Sequence, residues 1–159
     1  MSDVPDSSAQ LIITTSRRIH ATAHQIFEIL QDPKRHQEID GSAMVRDSDA
    51  LPVQAAGDSF VMRMNNEMFG DYEMRNEVVD YAPDRLIAWA PKRHDKVDDV
   101  DWNHRWGWRL VAQGEFTDVT AFFDCSRVPD DGLRILRNGE WGRPILERSL
   151  DRLEAIACP

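Results

Sequence analysis

Apolar residues change their period along this chain, and the changes mark out its elements. Residues 11–20, "LIITTSRRIH", are rich in β-branched side chains and predict a strand. The next stretch, "ATAHQIFEILQDPKRHQEI", puts Ile26, Phe27, Ile29 and Leu30 on one helical face. Thr22 fits the N-cap, and Gln25 stands three residues on in the capping-box position. Asp32-Pro33 stops that helix, because proline drives the residue before it out of the right-handed helical region. A second short helical turn is expected over 34–39.

From about 43 to 127 the helical period is absent, and short runs alternate with turn signals. The runs are Met44–Asp47, Ser59–Asn65, Tyr72–Tyr81, Arg85–Ala90, Val100–Ala112 and Val119–Arg127, which predicts an antiparallel sheet. "AAGD", "NNEMFGD", "APD", "PKRHDKVDD" and "QGEFTD" separate them, and "YAPDRL" reads as a proline-headed tight turn. After "VPDDG" the helical period returns: Leu146, Leu150, Leu153 and Ala157 lie on one side, and Glu147, Arg148, Asp151, Arg152 and Glu154 opposite. Pro144 fits the first turn of this helix, with a shorter helical piece before it. Strand, helix pair, sheet and long C-terminal helix together make an α+β domain. The long amphipathic helix needs an apolar surface, and the inner face of the sheet is the candidate.

Alternation along the strands selects that face. In "DWNHRWGWRL", Trp102, His104, Trp106, Trp108 and Leu110 fall at every second position, with Arg105 and Arg109 on the other side. The same rule turns Phe60, Met62 and Met64 inward, then Met74, Asn76 and Val78, then Val119, Ala121, Phe123 and Cys125. A Trp- and Met-rich interior with a few polar points, Asn76 and His104, is the result. Such a face either packs as a core or lines a pocket for a flat or irregular apolar molecule.

Composition narrows the partners. The 159 residues suit one domain, with residues 1–10 read as a disordered tail and 11–159 as the folded unit. Nineteen basic against 28 acidic side chains leave a formal charge of −9, which disfavours nucleic acid and anionic membranes. Two cysteines, Cys125 and Cys158, make no disulfide framework, and the polar start "MSDVPDSSAQ" carries no leader-like apolar run, so a cytoplasmic location is expected. No run approaches the roughly 20 apolar residues of a membrane span.

Several stretches resemble the START-like superfamily, also called SRPBCC, which includes polyketide cyclase/dehydrase-like proteins. "RRIHATAHQIFEILQDPKRHQEI" resembles its opening strand and helix pair. "VVDYAPDRLIAW" resembles its acidic-aromatic hairpin, "WGWRLVAQGEFTDVTAFFDCS" its last hairpin, and "LERSLDRLEAIA" its closing helix. The resemblance spans about residues 11 to 157 and implies the helix-grip fold: a curved antiparallel sheet wrapped around a long C-terminal helix, with a cavity between them. The implied binding residues are Phe60, Met62, Met64, Met74, Asn76, Val78, His104, Trp106, Trp108 and Phe123.

Three readings of function follow. The first is a binding module for a small hydrophobic or aromatic, lipid- or polyketide-like molecule, acting as a monomer or homodimer without cofactor or metal. The second is a cyclase or dehydratase with His104 as acid–base group. The third is an interaction domain whose interior is filled. Other chemistry finds little footing. His20 and His24 straddle a strand end and a helix start, so they share no helical face for a metal. "HDKVDDVD" lacks the glycine and terminal glutamate of an EF-hand loop, and "RNGEWG" is no phosphate loop. There is no G-x-S-x-G elbow, and Cys125, on an inward face, reads as an inert thiol. Trp141 is expected to pack on the sheet.

Overall fold

The structure, a computed structural model, describes residues 12–94, 103–129 and 142–158. The N-terminal tail, the acidic stretch 95–102 with Trp102, and the segment 130–141 with Trp141 and the expected short helical piece lie outside the described residues. Strand β1 (Ile12–Ile19) leads into helix α1 (Ala23–Leu30), a short 3₁₀ turn (Pro33–Arg35) and helix α2 (His36–Ile39). Six strands follow: β2 (Val45–Asp47), β3 (Ser59–Asn66), β4 (Gly70–Ala82), β5 (Leu86–Arg93), β6 (Arg105–Gln113) and β7 (Phe116–Asp124). Helix α3 (Arg143–Ala157) closes the chain, with Pro144 in its first turn.

Local chemistry sets these boundaries. The Gln25 amide N–H donates to Thr22 Oγ1 at 3.2 Å, while the Gln25 side chain accepts from the Thr22 N–H at 3.0 Å, so the capping box is complete. Asp32 caps the 3₁₀ turn by accepting from the Lys34 N–H at 3.1 Å. At "YAPDRL" the Arg85 N–H donates to the Ala82 carbonyl at 3.0 Å, and Asp84 takes a positive φ of 61°.

The seven strands form one open antiparallel sheet in the order β1-β7-β6-β5-β4-β3-β2. β1 and β7 pair from Ile12↔Asp124 to Ile19↔Thr117, so the first and last strands are neighbours. The alternation read from sequence holds: Phe60, Met62, Val78, Trp108, Leu110, Val119, Ala121 and Phe123 are buried on one face. Helix α3 packs chiefly against β1, β7 and α2, burying Leu146, Leu150 and Leu153. It thus sits over one end of the sheet and leaves the inner face of β3–β5 without a long helix. That offset makes room for a site. Among the described residues no helix is long and apolar enough to cross a membrane.

Candidate functional site

A cavity of about 580 Å³ occupies the uncovered region, walled by β3–β6, the residues after α2 and the first turns of α3. Met44, Met62, Met64, Met68 and Met74 all line it, which is every methionine among the described residues. Trp89, Trp106 and Trp108 supply flat surface on the same wall. Methionine adapts its shape and indole offers broad rigid contact, so the wall is an adaptable, largely apolar surface.

Of the residues singled out from sequence, Met62, Met64, Met74, Asn76, His104, Trp106 and Trp108 border this space. Phe60, Val78 and Phe123 do not; they stand behind the wall as core. Alternation gives the face of a strand but not the depth at which a side chain lies. Phe123 is stacked beneath Trp106, with ring centroids 4.2 Å apart, so the indole takes the cavity surface. Phe60 is covered by the rings of His36 and Trp89, at 5.3 and 6.1 Å. His104 precedes β6 rather than lying in it, after Asn103 at φ 49°, and its ring meets Trp106 and Phe123 edge-on.

Among the cavity residues not singled out from sequence, which include Met44, Met68, Tyr72 and Trp89, His36 is the one with titratable chemistry near neutral pH. His36, in the short helix α2, is buried against the cavity, its ring stacked on Trp89 at 5.0 Å. Its Nε2–H donates to the Leu30 carbonyl at 2.8 Å, a group freed where Asp32-Pro33 ends α1. A carbonyl only accepts, so the proton is on Nε2 and Nδ1 carries the lone pair. Burial holds this imidazole below the ordinary histidine range, and the bond to Leu30 and the charges of Asp32 and Asp40 only partly oppose that.

This has a consequence for stability. With a folded pKa depressed below the unfolded value of about 6.5, the unfolded chain binds the extra proton as pH falls. The contribution is therefore complete above about pH 6.5 and is lost on acidification towards the folded pKa. His24 acts oppositely, its pKa raised by the hydrogen bond to Asp84 and by Glu28, but it is exposed and its effect is screened. The urea midpoint is expected to drop between about pH 7 and pH 5, and His36→Phe to flatten that slope. An unchanged slope in the variant would contradict this assignment.

Carboxylates near the cavity are occupied with structure. Asp40 accepts from the Ser42 N–H, the Ser42 hydroxyl and the Val45 N–H at 2.9, 2.6 and 2.9 Å, which folds the chain between α2 and β2. At the far rim Arg93 lies over the rings of Phe69 and Tyr72, 5.2 and 4.9 Å from their centroids. Burial raises the Tyr72 hydroxyl above the ordinary phenol value. The two histidines considered for metal go separate ways: His20 stacks on Phe116 at 4.5 Å, and His24 meets Asp84 and Glu28, each at 3.1 Å. Cys125 is buried in the core.

No family model matches the chain. It is 30% identical over 115 residues to the Mycobacterium tuberculosis protein named uncharacterized protein Rv0088, covering 70% of this chain and 46% of that one. The chain thus spans about half the length of the curated relatives it matches. Among solved structures, protein NE0264 from Nitrosomonas europaea superposes with a TM-score of 0.71 at 14% identity, covering 93% of this chain and 94% of that one. DynU16, of the dynemicin biosynthetic locus, superposes with a TM-score of 0.59 at 16% identity, covering 91% of this chain and 46% of that one. The architecture is a known one. These likenesses establish an α+β fold with an open antiparallel sheet and a C-terminal helix, compatible with the START-like resemblance.

Proposed function

We propose that this domain binds a small, largely apolar or aromatic molecule in the cavity between sheet and helices, as a START-like (SRPBCC) binding module. The observation that carries the reading is the gathering of Met44, Met62, Met64, Met68 and Met74 with three tryptophans around one space of about 580 Å³. That volume lies in the usual range of small-molecule sites, roughly 300–1,000 Å³. A packed interior would spend those side chains on one another. A guest burying about 200 Å² of apolar surface gains about 5 kcal/mol before the cost of lost freedom is set against it. One fold neighbour belongs to a biosynthetic locus, a context that accords with a small-molecule ligand.

Trp106 and Trp108 line the cavity, so intrinsic fluorescence is the natural probe. Titration with uncharged polycyclic aromatics, sterols and fatty acids is expected to give a saturable, single-site change with one class. No response from any class, by a protein shown to be folded, overturns the proposal.

A further inference from the structure

Two polar side chains on the cavity wall have hydrogen-bonding capacity that is unused among the described residues. Asn76 is 5% exposed and borders the cavity, and its side-chain amide has no hydrogen-bond partner among the described residues. Its cross-strand neighbours offer nothing polar in side chain: Phe60 on β3, and Pro91 on β5, which also lacks an N–H. His36 is 7% exposed, and the only hydrogen bond of its side chain among the described residues is the one from Nε2 to Leu30. Phe60 joins the two, being the register partner of Asn76 and an edge contact of His36. The polar points therefore lie in one neighbourhood, beside the indole of Trp89.

Polar groups left unpaired on a cavity wall are available to a bound molecule, and a site's few polar groups are what orient its ligand. We infer that His36 Nδ1 and the Asn76 amide are the specificity contacts of the cavity, and that they select a neutral ligand bearing a hydroxyl or N–H donor on an aromatic body. The inference rests on the binding reading above. Its chemistry is direct. Nδ1 presents a lone pair, so only a donor satisfies it. A carboxylate has acceptors alone and would set lone pair against lone pair. The Asn76 amide offers both a donor and an acceptor, so a hydroxyl that donates to His36 accepts from Asn76 without conflict. Lys92 and Arg93 also border the cavity, Arg93 at the rim over Phe69 and Tyr72. They are the rival recognition point: an acid held there would reverse the predicted preference.

Naphthalene, naphthol and naphthoate test this as matched probes by calorimetry at neutral pH, where naphthol keeps its proton and naphthoic acid has lost its own. Wild-type protein is expected to bind naphthol about tenfold more tightly than naphthalene, and naphthoate more weakly than naphthol. His36→Phe should erase the naphthol advantage and leave naphthalene affinity within about threefold. Asn76→Leu should reduce the same advantage, and it serves if the histidine variant fails to fold. A naphthol preference that stays undiminished in either folded variant overturns the inference, as does naphthoate binding as tightly as naphthol. In both cases naphthalene still binds, so the cavity reading stands. If none of the three probes binds folded wild-type protein, the binding reading fails and the inference with it.

Discussion

Gly41→Ala is expected to cost about 3 kcal/mol of folding stability, far more than a methyl group costs at an open site. The backbone φ at this position is not the reason; proximity is. A Cβ built at Gly41 would stand 2.1 Å from the Ile145 carbonyl oxygen and 2.8 Å from the Ser149 nitrogen, both in the backbone of α3. Neither can swing aside as a side-chain tip would. The same contact is tied by hydrogen bonds. The Gly41 N–H donates to Ser149 Oγ at 2.9 Å, and Arg148 Nε donates to the Gly41 carbonyl at 2.7 Å. Arg152 reaches the Glu38 and Gln37 carbonyls at 3.0 and 3.3 Å, answering the open acceptors at the end of α2. This joint fixes α3 against the chain that carries Asp40, Ser42 and Met44 to the cavity. Ser149→Ala, which removes one hydrogen bond and no space, should cost only about 1 kcal/mol. Urea unfolding of both variants checks the ranking; a Gly41→Ala midpoint equal to wild type would contradict it.

Met74→Trp is expected to weaken binding of an apolar aromatic at least tenfold while leaving the unfolding midpoint near wild type. Met74 is half-buried and borders the cavity, opposite Met62 in the β3–β4 register. A larger ring there occupies ligand space rather than core. Met62, 2% exposed, also borders the cavity but is packed into the core as well, so added bulk there costs stability along with ligand space. Full affinity in a folded Met74→Trp protein would place the ligand elsewhere.

The sheet and its inner face were legible because alternation is a local signal. Met62, Met64, Trp106 and Trp108 could be oriented from their neighbours alone. Helix α1 was legible for the same reason, since Thr22 and Gln25 are three residues apart. Depth was not legible. Phe123 and Trp106 point the same way, and only the pairing of β6 with β7 decides which ring covers the other. His36 was hidden because a four-residue helix has too little length to show a period, and its partner Leu30 becomes available only through the turn at Pro33. The joint of Gly41 with Ser149 spans 108 residues of sequence and leaves no local trace. A bulge between Val78 and Asp80 shifts the phase of β4, so strict alternation fails beyond Val78.

The central claim is that the methionine-lined space holds a ligand, and labelled methionine methyl groups report on it most directly. In a spectrum of protein carrying ¹³C-methyl methionine, titration with the tightest aromatic from the fluorescence panel should move Met44, Met62, Met64 and Met74 together, with one common dissociation constant. Met68 is 82% exposed at the rim and should move least. Shifts confined to Met68, or none at saturating ligand, would contradict the account.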